Sequence, residues 1–110
     1  MSPKPSKNYL RKHRLQAALS LAEVSALLGI STNALSRYER GLRVPPAEVL
    51  IASIIVFGVS GETIFPALYN SVAEDLAVLA PECLERLAGR SDPAAQKKLA
   101  LISGIPDRLS

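Results

Sequence analysis

The chain has 110 residues, which suits one compact domain with a short appended segment. Hydrophobic residues make up 48% of it, so a core can form without metal ions, and the single cysteine, Cys83, excludes an internal disulfide and a Cys-type zinc site. The first residues do not combine a basic segment with an apolar one, so we expect no secretory signal, and the longest apolar run, residues 49–57, is too short to cross a bilayer. We expect a cytoplasmic protein without membrane contact, and a buried core helix over this run.

The net charge of +3 is distributed unevenly along the chain. Residues 1–43 contain eight of the thirteen Lys and Arg but two of the ten Asp and Glu, whereas residues 44–110 are acidic overall. A basic part next to an acidic part favours a polyanionic partner for the first part alone. An ordinary solvated basic surface is the alternative explanation.

Three helices are predicted in the basic part. The first spans about residues 6–18. A capping box, Ser20-Leu-Ala-Glu23, starts the second, because the serine hydroxyl can accept the Glu23 amide while the carboxylate reaches back. Gly29 is the expected left-handed end of that helix. Ser31 is expected to cap a third helix over residues 32–40, which Gly41 ends in the same way.

A fourth helix is predicted from the Pro45-Pro46 pair to about residue 57. Ser60 can cap a fifth helix that reaches residue 69. Pro66 is compatible with that helix only in its early turns or at a bend.

Further helices are predicted in the acidic part. Residues 71–88 have a helical apolar pattern that Pro81 is expected to kink or split. Asp92 can cap a last helix, over residues 93–103, before Gly104. The sequence therefore predicts an all-α protein with five helices in a compact block and two or three beyond it.

The joint between the second and third helices has the features of a helix-turn-helix, in which a short glycine-containing turn joins two helices. Gly29 supplies a positive φ, Ile30 can fill the space between the helices, and Ser31 caps the second of them. Ser25 is small where the helices are expected to cross closely.

The third helix has a face suited to DNA. At 100° per residue, one arc carries five polar or basic side chains and no carboxylate. These are Thr32, Asn33, Ser36, Arg37 and Arg40. The opposite arc carries Ala34, Leu35 and Tyr38, which we expect to pack in the core. Asn can pair with adenine, Arg with guanine, and Ser or Thr with either base. A solvated polar helix without a ligand is the alternative.

Residues 10–68 resemble the lambda-repressor-like, Cro/Xre-type helix-turn-helix domain. The matching stretches are residues 19–29 and 30–41 and the proline at position 45, and the most diagnostic piece is Tyr38-Glu39-Arg40-Gly41. The resemblance implies a five-helix DNA-binding domain over residues 1–69. The resemblance does not reach residues 70–110, which we expect to form a C-terminal helical extension that can act as a dimerisation or partner-binding arm.

The resemblance also implies roles for individual residues. Base edges are contacted by Thr32, Asn33, Ser36 and Arg37. Phosphates are contacted by Arg40, Gly41 and Arg43, and at the start of the second helix by Ser20 and Leu21. Arg14 and Glu39 form a structural ion pair. The family often has Gln where this chain has Leu21, which removes one polar phosphate anchor and leaves the backbone amides there.

These features predict a sequence-specific, repressor-like regulator that binds double-stranded DNA and needs no cofactor, metal or catalytic residue. We expect a protein of bacterial or phage type. It is expected to bind as a homodimer, because one recognition helix spans few base pairs. We place the dimer surface on the fifth helix and the apolar stripes after Ser71, although those stripes can instead cover the domain's own core. The rival hypothesis is a protein-interaction module, or an antitoxin-like partner, whose C-terminal helices bind another protein.

Overall fold

The structure is a computed structural model that describes residues 7–109, and these form eight helices and no strand. The helices are α1 (Leu10–Gln16), α2 (Leu21–Leu28), α3 (Thr32–Glu39), α4 (Ala47–Phe57), α5 (Gly61–Ile64), α6 (Pro66–Leu87), α7 (Pro93–Ser103) and α8 (Ile105–Leu109). The predicted all-α class is confirmed, and α1 to α5 make up the five-helix domain. The chain divides into two compact units after Ser71.

Four helices begin at the side-chain caps that the sequence predicts. The capping residues are Ser20, Ser31, Ser60 and Asp92, and each side-chain oxygen accepts the N–H three residues on, at 3.0, 3.0, 3.1 and 3.2 Å. At Ser20 the box is reciprocal, because its own N–H donates to Glu23 Oε1 at 2.9 Å. These bonds satisfy amides that have no partner within the helix and so fix where each helix starts.

The ends of α2 and α3 also follow the prediction. Gly29 has φ 69° and Gly41 has φ 72°, the left-handed conformation that glycine adopts without steric cost. Ala18 adopts φ 56° after α1, although it carries a Cβ. Helix α7 spans Pro93–Ser103 as predicted, Gly104 has φ −82°, and the chain continues into α8, which the sequence did not predict as a separate helix.

One cluster of buried side chains holds the first unit together. It contains Leu10, Val24, Leu28, Leu35, Tyr38, Val49, Ile64 and Phe65. Each of the five helices α1 to α5 contributes at least one side chain to this cluster. Burying a leucine side chain such as Leu35, which is 0% exposed, contributes about 1.5–3 kcal/mol.

Helix α1 is shorter than the predicted 6–18. Ser6, the first residue of the predicted range, lies outside the described residues, residues 7–9 are not helical, and α1 spans Leu10–Gln16. The reason is a tertiary contact, because the Tyr9 N–H donates to the Ile64 carbonyl at 2.8 Å. Asn8 holds the same entry, accepting from the Leu10 N–H at 3.0 Å and donating to the Tyr38 carbonyl at 2.8 Å.

Helix α4 is only partly the buried core helix that its apolar run predicts. Val49 and Ser53 are buried, and the Ser53 hydroxyl donates to the Val49 carbonyl at 2.7 Å. Ile51 and Ile55, however, are 57% and 75% exposed. The prediction was wrong for this face, because an unbroken apolar run contains no information about which side of the helix the rest of the domain covers.

Two prolines decide where the helices after residue 60 break and where they continue. The predicted fifth helix over residues 60–69 is broken, since α5 ends at Ile64 and Pro66 starts a new helix. A residue before proline is disfavoured in the α conformation, and Phe65 has φ −122° and ψ 58°. Pro81 does not split the following segment but lies inside the continuous α6. The carbonyl that loses its helical partner there belongs to Ala77, an exposed residue that water can reach.

The second unit buries little apolar surface. Its buried side chains in the described part of the chain are Ala80, Leu87 and Ala95, and Cys83 is half-buried. Over residues 7–109, none of the helices combines the length and apolar character needed to span a membrane. Among the same residues, no three His, Cys, Asp or Glu side chains gather where they could hold a metal ion.

Candidate nucleic-acid interface

The turn between α2 and α3 fixes the position of the candidate recognition helix. Ile30 packs against the core, and its N–H donates to the Ser25 carbonyl at 3.0 Å. Ser25 is buried, and its hydroxyl donates to the Leu21 carbonyl at 2.8 Å, so this polar group is satisfied inside its own helix. Gly29 redirects the chain between these contacts. The two helices are therefore held at a defined angle by packing as well as by the turn.

Helix α3 is anchored by one face and presents the other. Leu35 is fully buried and Tyr38 is 9% exposed. Because side chains three apart share a face, these two determine which side of the helix points away from the core.

The outward face carries the residues for which base contacts are predicted. Thr32, Asn33 and Arg37 are exposed, and Ser36 is half-buried. No carboxylate lies among them. Their donors and acceptors match those of base edges in the major groove, where Arg pairs with guanine and Asn with adenine.

Arg14 and Glu39 form a mostly buried ion pair that joins α1 to the end of α3. Arg14 Nε lies 2.7 Å from Glu39 Oε2, and Arg14 Nη2 lies 3.1 Å from Oε1, so the contact is bidentate. Arg14 Nη1 also donates to the Leu19 carbonyl at 3.2 Å. The side chains are 12% and 6% exposed. The hydrogen bonding of Arg14 to the Glu39 carboxylate, together with the charge of that carboxylate, raises the pKa of Arg14, so the guanidinium stays protonated.

The turn after α3 places two further arginines at the surface. Arg40 and Arg43 are both exposed on either side of Gly41. The Gly41 N–H donates to the Tyr38 carbonyl at 3.1 Å, and the Leu42 N–H donates to the Arg37 carbonyl at 2.9 Å. Gly41 therefore contributes to the predicted phosphate contact by turning the chain, while the guanidinium groups supply the charge.

At the start of α2, where Ser20 and Leu21 are predicted to contact phosphate, some of the backbone amides are already hydrogen-bonded within the capping box. The Ser20 N–H donates to the Glu23 carboxylate, which lowers the pKa of Glu23 below its usual value, and the Ser20 hydroxyl accepts the Glu23 N–H. The hydroxyl hydrogen of Ser20 and the Leu21 amide remain as donors. Leu21 directs its side chain against the core.

An open cleft of about 410 Å³ lies between α1, α2 and α3. It is lined by Arg11, Arg14, Leu21, Ser36, Glu39 and Arg40. Arg11 is a lining residue that the sequence analysis did not single out. Its position three residues before Arg14, on the same face of α1, is the signal that could have identified it.

Comparison with known proteins agrees with this geometry. A family model described as a helix-turn-helix domain matches residues 8–64, just over half of the chain, and covers α1 to α5. No curated protein and no solved structure matches the chain. The match is consistent with the Cro/Xre-type resemblance and indicates DNA binding. The chain belongs to the helix-turn-helix domain family.

Proposed function

We propose that the protein is a sequence-specific, repressor-like transcriptional regulator that inserts α3 into the major groove of double-stranded DNA. The observation that carries the proposal is the two-sided character of α3. Leu35 and Tyr38 bury one face, while Thr32, Asn33 and Arg37 form an exposed face free of carboxylates. That face offers hydrogen bonds to base edges without repelling the phosphates on either side of the groove.

Phosphate contacts flank this face in the proposal. Arg40 and Arg43 lie just beyond the end of α3, and Ser20 and the Leu21 amide lie at the start of α2. Contacts of this kind fix the register of α3 on the duplex and make binding depend on salt.

Replacement of one base-contacting residue tests the proposal. A binding site is first selected from random duplex DNA, and the affinity of the full chain is measured at fixed salt. Asn33→Ala is expected to weaken binding to the selected site by about 1–3 kcal/mol, which is roughly 5- to 150-fold, and to relax the preference at one base pair. Asn70→Ala is the matched control, because Asn70 is also exposed but lies on α6. Equal affinities of wild type and Asn33→Ala, with unchanged base preference, contradict base contact through α3.

We infer in addition that the protein binds DNA as a homodimer through an exposed stripe on α6. The stripe consists of Val72, Leu76 and Leu79, which are exposed and follow the alternating four- and three-residue spacing of a helix–helix seam. We place the dimer surface on α6 rather than on α5, whose apolar residue Ile64 is buried in the core. The second unit has fewer than 40 residues and few buried side chains, and units of this size generally need a partner for stability.

Charge placed on the stripe tests this dimer. The double substitution Leu76→Glu with Leu79→Glu is expected to produce monomers in sedimentation analysis and to weaken binding to a two-half-site operator. Val78→Glu is the control, since Val78 is 62% exposed but lies off the stripe. A double variant that sediments like Val78→Glu refutes the assignment. The spacing of half-sites in selected DNA gives a second, independent measure of the oligomer.

A second candidate function is binding to another protein through the same stripe. It is favoured by the acidic character of residues 44–110, which suits a basic protein surface better than DNA. A wild-type chain that is monomeric and shows no salt-dependent affinity for duplex DNA favours this candidate over the regulator.

A further inference from the structure

The cleft between α1, α2 and α3 has an uneven balance of charge. Three of its six lining residues are arginines, and the only acid is Glu39. Glu39 is fully engaged with Arg14 through two hydrogen bonds. The positive charge of the cleft therefore comes from the other two guanidinium groups.

Those two groups belong to Arg11 and Arg40. Both residues are exposed, and across residues 7–109 neither guanidinium has a hydrogen-bond or ion-pair partner. Two cations that share a cleft repel each other, and an anion between them removes that repulsion. The cleft is thus suited to an anion with several acceptor oxygens, for which the planar guanidinium forms paired hydrogen bonds.

The position of the cleft beside α3 indicates which kind of anion would bind there. Ser36 of α3 lines it, so the cleft opens onto the face that we propose lies in the major groove. When α3 is in the groove, the anion adjacent to that face is a phosphodiester of the DNA backbone. The cleft, with a volume of about 410 Å³, accommodates a phosphodiester group together with several waters, given about 30 Å³ for each water.

We infer that Arg11 binds a DNA phosphate in this cleft together with Arg40. Leu21 lines the cleft with an apolar side chain and so contributes no side-chain hydrogen bond to the phosphate. Arg11 supplies the charge from α1 instead. This inference rests on the proposed DNA-binding function and adds to it a contact from outside the helix-turn-helix pair.

The salt dependence of binding tests the contact with a control one residue away. Arg11→Gln is expected to lower the slope of log affinity against log salt by about 0.9 per bound chain, which is about an eightfold loss of affinity at 0.1 M salt. Lys12→Gln removes the same charge, but Lys12 does not line the cleft, and its Nζ lies 5.3 Å from the centre of the Tyr9 ring. Its slope is expected to stay within a few tenths of the wild-type value. Circular dichroism verifies that both variants fold.

Methylphosphonate substitution locates the contact on the DNA. Neutralising the phosphates of the selected duplex one at a time is expected to reveal one position per half-site at which wild type loses affinity and Arg11→Gln does not. The inference is overturned if no position behaves in this way, or if Arg11→Gln and Lys12→Gln change the slope equally. If the wild type shows no salt-dependent binding to duplex DNA, the proposed function and this contact are both overturned. If the wild type binds but Arg11→Gln behaves like Lys12→Gln, only the contact is overturned.

Discussion

Replacing Arg14 by methionine is expected to destabilise the first unit strongly, because it leaves the Glu39 carboxylate buried without its partner. Glu39 is 6% exposed and makes both of its hydrogen bonds to Arg14. Breaking a buried ion pair by removing one member costs about 3–5 kcal/mol. Such a loss is a large part of the 5–15 kcal/mol typical of a folded domain.

The reciprocal substitution is expected to cost less. In Glu39→Gln, Arg14 keeps the Leu19 carbonyl and gains an amide oxygen, and it is the more exposed of the two residues. We therefore expect a loss of about 1.5–3 kcal/mol, the contribution of hydrogen bonds to a charged group. Replacing both residues at once, as Arg14→Met with Glu39→Leu, is expected to cost less than Arg14→Met alone, because no buried charge remains.

Urea unfolding followed by circular dichroism at fixed protein concentration measures these differences. A loss below about 1 kcal/mol in Arg14→Met refutes the view that the pair is buried and mutually dependent.

Three further predictions follow from the local geometry. Ala18→Gly is expected to raise the free energy of unfolding by about 0.5–1 kcal/mol, since relief of the left-handed strain at φ 56° exceeds the added entropy of the unfolded chain; a loss of stability in urea contradicts this. The pKa of Glu23 is lowered in the folded state, so its contribution is present at neutral pH and disappears as the pH falls through that value; the difference in Tm between wild type and Glu23→Gln is therefore expected to shrink from pH 7 toward pH 2–3. Leu35→Ala is expected to cost about 2–5 kcal/mol, and Ile55→Ala, at a 75% exposed position, less than about 0.5 kcal/mol; equal costs in urea unfolding contradict the assigned burial.

The starts of the helices were predictable because their signals are local. Ser20, Ser31, Ser60 and Asp92 each bond to an amide three residues away, so the information lies within one turn of the chain. The burial of α4 was not predictable in this way. Whether Ile55 is covered depends on neighbours far away in the sequence, and an apolar run does not encode them.

The prolines illustrate competition between local rules. Pro66 both disfavours the preceding residue in a helix and favours a new helix start, and the sequence alone does not decide where the break falls. Pro81 lies inside the continuous α6, where the helical hydrogen bond that it cannot form belongs to Ala77, an exposed residue.

The candidate site also has one part that the sequence could predict and one part that it could not. The exposed face of α3 follows from a spacing of 100° per residue, and so its members could be named from the sequence. The cleft with Arg11 depends on how α1 lies against α2 and α3, which is a tertiary property. The capping box at Ser20 has a consequence for the site that was also not foreseen, because it places a carboxylate where a phosphate contact is predicted.

The hydrogen bond from the Tyr9 N–H to the Ile64 carbonyl, at 2.8 Å, brings the two ends of the five-helix domain together. The family match begins at residue 8 and ends at residue 64, almost at the same two points. A domain whose entry and exit are adjacent can be inserted into a surface loop of another protein without stretching either chain, and it tolerates circular permutation for the same reason. In this protein residues at the two ends of the matched helix-turn-helix region lie within hydrogen-bonding distance, and the core continues just past this closure through Phe65 and Leu68.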